Sequence, residues 1–153
     1  MIKKLFAGVF ASCIAAASPA ADNWTVATAQ DQGKPLIIRY RYPVPAPFKR
    51  SVYPTMIDIT WKFDSESGMP SPSEKDRMNE LEDSITSTIE PSKNGLLTVV
   101  VTGNGACKWK FYAKNRNEFL LLLDEALSGK PKFPIWISVQ QDPDWLSYKQ
   151  FGQ

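Results

Sequence analysis

The chain has 153 residues, 12% of them aromatic, and carries 18 Lys and Arg against 16 Asp and Glu, with no histidine. The absence of histidine removes the commonest general base, the commonest zinc ligand and every Ser-His or Cys-His nucleophile. The nearly balanced charge leaves no global basic field of the kind that attracts nucleic acid or anionic membranes. The length suits one domain with a proper hydrophobic core.

The amino terminus has the three-part pattern of a secretory signal peptide. Lys3 and Lys4 give a positive start, residues 5–17 are apolar or small, and Ser18-Pro19-Ala20 places small residues at a cleavage site. The apolar run is too short to cross, as a helix, a bilayer core of roughly 30 Å. We therefore predict a cleavable signal peptide and a bacterial protein that is periplasmic or secreted.

Cleavage near Ala20 changes what the composition allows. The signal peptide would be residues 1–20, and residues 21–153 would form a single domain with 16 basic and 16 acidic side chains. Cys107 would be its one cysteine, which excludes an intrachain disulfide. No later segment is apolar for long enough to span a membrane. As an alternative, Cys13 lies in an approximate lipobox and would be the anchor of a lipoprotein.

The first half of the domain predicts mainly strands. Residues 24–29 and 35–42 are typical of two strands joined by a polar turn, which makes an N-terminal β-hairpin. Prolines interrupt regular pairing in residues 43–54, so this segment is predicted to be an extended crossover. Residues 56–63 alternate between apolar and polar side chains and predict a half-buried strand.

The second half predicts two helices, a hairpin and a last strand. Ser71 and Glu74 fit a capping box at the start of the first helix. The predicted elements are a helix from Pro72 to about Ile89 with a stripe of Met78, Leu81, Ile85 and Ile89, strands over 96–102 and 107–113, a helix capped by Asn115 and ending at Gly129, a strand over 133–140 and a short terminal helix. This order predicts an α+β fold, a ferredoxin-like antiparallel sheet with two helices on one face, preceded by the hairpin.

Six short motifs are spaced over almost the whole mature chain. They are Asn23-Trp24, Tyr53-Pro54, Gly68-Met69-Pro70, Leu81-Glu82-Asp83, Phe111-Tyr112, and Asp142-Pro143-Asp144-Trp145 with Tyr148. In this order they resemble the bacterial domain of unknown function 695. The resemblance implies an α+β fold and supplies no activity. The closing Asp-Pro-x-Trp is also similar to the end of the ribonuclease E inhibitor B proteins, a cytoplasmic analogy from which an exported chain departs.

Side chains able to do chemistry have simpler structural explanations. Cys107 shares a strand face with aromatic residues and is expected to be a buried hydrophobe. Asp142 and Asp144 are expected to cap the terminal helix and favour its dipole, although they could also share acid–base work. We therefore nominate no catalytic residue, no metal ligand and no cofactor. The sequence favours a protein that is not an enzyme, without excluding one.

Charge and aromatic residues point to surfaces that could contact a partner. Residues 64–90 are acidic and residues 34–50 are basic, which indicates either unrelated solvated faces or a dipolar surface that orients a charged partner. Alternation places several side chains on the sheet face away from the helices, unless the hairpin covers them. The candidate partner-binding face consists of Lys62, Lys108, Lys110, Tyr112 and Trp136.

These observations lead to a functional hypothesis and an alternative from a different class. We expect a non-enzymatic extracytoplasmic binding or inhibitor-type protein whose partner is a macromolecule, in the simplest case another protein and not nucleic acid. The alternative is a periplasmic small-ligand binder or a hydrolase built on carboxylates, with Asp142 and Asp144 among them. A structural accessory of an envelope complex is a third possibility.

Overall fold

The computed structural model describes residues 23–151, so the predicted signal peptide and the lipobox around Cys13 lie outside the described residues. The strands are β1 (Trp24–Asp31), β2 (Lys34–Arg41), β3 (Thr55–Lys62), β4 (Gly95–Gly103), β5 (Ala106–Ala113) and β6 (Ile135–Gln141), and the helices are α1 (Pro72–Ile89), α2 (Arg116–Leu127) and α3 (Leu146–Lys149). Every predicted element is present, and the predicted bounds differ only at the ends of elements. The chain is an α+β protein.

All six strands form one antiparallel sheet in the order β1-β2-β4-β5-β3-β6. The N-terminal hairpin joins the sheet through β2, which pairs with β4 from Leu36 opposite Gly103 to Tyr40 opposite Val99. β6 pairs with β3 at the far end of the sheet. The hairpin therefore widens the sheet on the side opposite β6, and β1 and β6 are its two edges.

The two long helices begin where side chains satisfy their first backbone N–H groups. Glu74 N–H donates to Ser71 Oγ at 3.3 Å and Ser71 N–H donates to Glu74 Oε2 at 2.9 Å, which completes the predicted capping box. Asn115 Oδ1 accepts hydrogen bonds from the backbone N–H groups of Asn117 and Glu118. The predicted apolar stripe of α1 is buried along its whole length.

The larger hydrophobic core lies between these helices and the sheet. Each large apolar side chain that is fully buried here stabilises the fold by about 1.5–3 kcal/mol relative to an exposed one. Helix α1 also packs against α2. The fully or nearly fully buried members are Ile57, Ile59, Trp61, Phe63, Met78, Leu81, Ile85, Ile89, Leu97, Val100, Cys107, Trp109, Phe111, Ala113, Phe119, Leu123 and Phe133.

A second core forms where the proline-rich crossover and the C-terminal segment pack together against the sheet. It consists of Phe48, Tyr53, Met56, Leu96, Val99, Tyr112, Trp145 and Tyr148. Phe48 and Tyr53 come from the crossover, and Trp145 and Tyr148 come from the chain after β6. We call this group the C-terminal cluster. It covers only one end of the sheet face to which Met56 and Tyr112 belong.

Candidate partner-binding surface

The uncovered end of that sheet face carries a row of side chains that crosses five strands. The register aligns Trp136 of β6 with Thr60 of β3, then Lys108, Val101 and Ile38 on β5, β4 and β2. Neighbouring strands lie about 4.7–4.9 Å apart, so the row extends for about 19 Å. It has an exposed aromatic ring at one end, a cation in the middle and half-buried aliphatic side chains at the other end.

Trp136 is 60% exposed, which answers whether the hairpin covers it. Because the hairpin pairs beyond β4, it lies at the opposite edge of the sheet from Trp136. Lys62 Nζ lies 5.8 Å from the centroid of the indole ring, within the range of a cation–π contact. Lys62 and Lys108 are both exposed. These three residues form what we call the open sheet surface.

Lys110 lies on the same face but is already paired. Its Nζ is 2.9 Å from both carboxylate oxygens of Asp58, the residue directly opposite on β3. Both side chains are mostly buried, so the pair is held more firmly than an exposed ion pair. The positive charge that the open sheet surface presents therefore comes from Lys62 and Lys108.

Tyr112 does not belong to this surface, and the expectation for that residue is wrong. It is fully buried, with its ring stacked on Trp145 at a centroid distance of 4.0 Å. Its hydroxyl donates a 2.7 Å hydrogen bond to Asp142 Oδ2. Burial, followed by the bond to the Asp142 carboxylate, raises the pKa of Tyr112 well above its ordinary value. Alternation along β5 gave its correct sheet face, but the C-terminal segment folds back over it.

The carboxylate of Asp142 is buried and accepts three hydrogen bonds. Its carboxylate accepts hydrogen bonds from the Leu146 and Ser147 backbone N–H groups at 2.8 and 3.0 Å, in addition to the one from Tyr112. Burial by itself would raise the pKa of the Asp142 carboxyl, but the hydrogen bonds from Ser147, Tyr112 and Leu146 hold that pKa below its ordinary value. Pro143 and Asp144 are exposed.

The remaining motif residues at the C terminus connect the same cluster. Trp145 donates from its indole N–H to the Tyr53 carbonyl at 2.8 Å, and the Tyr148 hydroxyl donates to the Arg41 carbonyl. Asp142 N–H donates to the Pro54 carbonyl at 2.8 Å. Motifs that are distant in sequence therefore meet in one place, where they bind the crossover to the chain end. These hydrogen bonds hold the two segments together.

Two ion pairs connect the basic segment, residues 34–50, to the acidic segment, residues 64–90. Arg39 of β2 forms a 2.6 Å ion pair with Glu82 of α1, and Arg41 pairs with Glu90 at 3.0 Å. Glu82 also accepts a 2.8 Å hydrogen bond from the Trp109 indole N–H. Both guanidinium groups lie over the ring of Trp24, at 5.4 and 4.9 Å from its centroid. Sequence reasoning missed this network because its two sides lie more than forty residues apart.

Cys107 is buried, as expected. Burial, only partly offset by a hydrogen bond with Thr102, raises the pKa of its thiol to about 11. In the described part of the chain, no three His, Cys, Asp or Glu side chains are grouped so that they could hold a metal ion. Within residues 23–151, no helix is long and apolar enough to cross a membrane.

A groove of about 910 Å³ lies between the crossover and the C-terminal end of α1. Pro45, Pro47 and Phe48 line one side of it, Thr86 and Ser87 line the other, and the Arg41–Glu90 ion pair borders it. Neither Asp142 nor Asp144 lines this groove. A ligand there would meet hydroxyls, an ion pair, apolar side chains and the charged groups of Asp83 and Lys93.

Together these features define a small α+β domain with one buried structural motif at its C terminus and one open sheet surface. Comparison with family models matches residues 22–151 to the family of unknown function DUF695, and the chain belongs to this family. This confirms the resemblance carried by the six motifs. Searches among curated proteins and among solved structures return no match.

Proposed function

We propose that the protein is an exported, non-enzymatic binding protein that holds another protein on its open sheet surface. The observation that carries this proposal is the exposed ring of Trp136 beside Lys62, on the same sheet face as Lys108. A large aromatic side chain on a strand provides rigid contact area at a small entropic cost. The two lysines attract an acidic partner and orient it. An inhibitor-type role is one form of this function.

The chemistry of the surface specifies the kind of partner. Covering Trp136 requires an apolar side chain or a flat backbone segment, and Lys62 and Lys108 require carboxylates near it. Lys110 contributes little to this charge because Asp58 neutralises it. We therefore propose an acidic protein surface with an apolar centre as the occupant.

The proposal extends to the fold subclass and to location. The strands β4-β5-β3-β6 lie side by side, α1 follows β3 and α2 follows β5, which supports a ferredoxin-like unit widened by the hairpin. The match to the family begins at residue 22, just after the predicted cleavage near Ala20, which supports a separate N-terminal signal. We propose a periplasmic or secreted location.

A capture experiment with matched variants tests the binding function. Three forms of the protein serve as bait: wild type, Trp136→Ala and Lys108→Glu. Each bait is cross-linked to the proteins of the extracytoplasmic fraction of the producing cell, and the captured proteins are quantified by mass spectrometry. Leu121→Ala is the control, because Leu121 is 72% exposed but lies on α2. We expect one acidic protein to be lost with both surface variants and kept with the control. A capture profile that neither surface variant changes would contradict the proposal.

The groove beside α1 favours a second candidate function, the binding of a small ligand. Its volume and mixed lining are within the usual range for ligand sites. Ligand-observed NMR with a panel of small uncharged aromatic fragments tests it, with Ser87→Trp to fill the groove and Leu121→Trp as the control. Fragments that bind wild type and the control but not Ser87→Trp would support this function. Binding that Ser87→Trp leaves intact would exclude the groove.

A further inference from the structure

The edge strand β6 has an unusual composition for an exposed edge. Its sequence, Ile135 to Gln141, contains no charged residue and no proline, and its register with β3 has no bulge. Proteins usually protect such edges with lysines, prolines or bulges, because an unprotected edge pairs with other strands. Ile137 is also 41% exposed. The composition of β6 therefore favours hydrogen bonding of its free backbone edge to another strand.

The backbone groups that point outward can be identified from one hydrogen bond. Asp142 N–H donates to the Pro54 carbonyl, and the register pairs Gln140 with Met56 and Ser138 with Asp58. In an antiparallel ladder the bonded pairs alternate, so even-numbered residues of β6 bond to β3. The odd-numbered residues direct their N–H and C=O groups away from the sheet. The odd-numbered residues with both groups free for pairing are Ile137, Val139 and Gln141. The N–H of Ile135 already donates a hydrogen bond to the Phe133 carbonyl.

We infer that two copies of the protein form a dimer by antiparallel pairing of β6 with β6 across a two-fold axis at Ser138. This is the register in which all seven residues of the strand find a partner. It places the exposed Ile137 of one copy opposite the half-buried Val139 of the other, so that these two apolar side chains cover each other. Because the strand has no charge, self-pairing creates no like-charge contact.

The charges that flank β6 favour the antiparallel arrangement of the two copies. Lys132 lies six residues before Ser138 and Asp144 six residues after it, and both are exposed. The two-fold axis therefore places the end of β6 near Lys132 in each copy beside the end of β6 near Asp144 in the other. This charge complementarity, together with the uncharged strand between, favours a second copy over an unrelated strand as the occupant. The two sheets become one continuous sheet, with a Trp136 on each side of the seam.

Disulfide trapping tests the register directly. Ser138→Cys in a Cys13→Ser background places two thiols on the two-fold axis, in a non-hydrogen-bonded pair with a Cα separation of about 4.5 Å, which a disulfide can bridge. Gln140→Cys is the matched control, because it lies on the same face but opposite Trp136 of the partner. We expect a covalent dimer with Ser138→Cys and at most a trace with Gln140→Cys. Equal or preferential cross-linking of Gln140→Cys would overturn the inference.

Sedimentation velocity tests the interface without a covalent bond. Ile137→Lys would bury an ammonium at the seam and should weaken dimerisation at least 100-fold. Val26→Lys places the same charge on the opposite edge strand, at a residue that is 62% exposed, and should leave the dimer unchanged. Circular dichroism melting confirms that both variants fold. A dimer with a micromolar dissociation constant is almost complete at roughly 0.1 mM. The inference would be overturned if the wild-type protein stayed monomeric at that concentration. It would also be overturned if only Val26→Lys dissociated the dimer.

Discussion

The carboxylate of Asp142 is expected to be among the most important polar groups for stability. It is buried and accepts hydrogen bonds from the Tyr112 hydroxyl and from two backbone N–H groups at the start of α3. The substitution Asp142→Ala removes all three acceptor contacts at once. It leaves the hydroxyl of Tyr112, which is fully buried, without this partner.

The size of the effect follows from these contacts. A buried hydroxyl left unpaired costs about 1–3 kcal/mol, and loss of a helix-capping side chain costs about 1 kcal/mol. We therefore expect Asp142→Ala to lower the free energy of unfolding by about 2–4 kcal/mol, a large part of the 5–15 kcal/mol typical of a domain. Tyr112→Phe removes only the hydroxyl and should cost about 1 kcal/mol. The double variant should lose less than the sum of the two.

Acid pH provides an independent check of the same group. The folded pKa of Asp142 is lowered below the unfolded value of about 3.9. The carboxylate therefore contributes stability that is present above about pH 4 and is lost as the pH falls through the folded pKa. Asp142→Asn cannot titrate, so its stability should fall less steeply than that of wild type between about pH 5 and pH 2.

Urea unfolding followed by tryptophan fluorescence measures these quantities, with Asp144→Ala as the exposed control. A loss below about 0.5 kcal/mol for Asp142→Ala, within the range of ordinary surface substitutions, would refute the assignment of Asp142 as a structural group. Strict additivity in the Tyr112→Phe cycle would refute the contact between the two side chains. Either result would reopen a catalytic role for the Asp142 carboxylate.

Three further predictions follow from particular contacts. Gly103→Ala should cost at least about 2 kcal/mol in urea unfolding, because φ is +144° there and an added Cβ would collide with the Pro35 carbonyl; a neutral effect would contradict the pairing of β2 with β4. Glu82→Ala should lower the free energy of unfolding by about 1–3 kcal/mol, because it leaves the Trp109 indole N–H unpaired. The same variant should change the tryptophan emission, and an unaltered emission would count against this contact. Burial raises the thiol pKa of Cys107 to about 11. In a Cys13→Ser background, Cys107 should therefore react with Ellman's reagent at pH 8 only when the protein is unfolded. Rapid reaction of the native protein would disprove the burial of Cys107.

Local patterns were sufficient to predict the elements of the fold. The Ser71 capping box gave the start of α1, and the stripe from Met78 to Ile89 gave its buried face, because both depend on residues a few positions apart. Alternation along β3 and β5 gave the side of the sheet on which each residue lies. These signals depend on the spacing of polar and apolar residues, which can be read directly from the sequence.

Contacts between distant segments could not be predicted in the same way. Alternation gave the correct face for Tyr112, but nothing near it indicated that Trp145 returns to cover that part of the face. The charges of Arg39 and Glu82 were visible, but their pairing depends on the position of β2 beside β4 under α1. The exposure of Trp136 depended on strand order, since the hairpin joins the sheet at the edge opposite β6 and so does not cover the ring.

The position of the family motifs explains why membership in the family predicts structure better than function. Four motif residues belong to the C-terminal cluster and Asp142 bonds to one of them, and their polar atoms hydrogen-bond to one another or to the backbone. The four are Tyr53, Tyr112, Trp145 and Tyr148. A residue whose polar groups are used in this way holds the chain in place and has little capacity left for a partner. The open sheet surface and the β6 edge contain none of the motif residues, so these regions are free to differ among proteins that share the fold. Binding specificity should therefore be sought first at Trp136, Lys62 and Lys108, and substitutions there should alter capture of the partner while leaving the free energy of unfolding nearly unchanged.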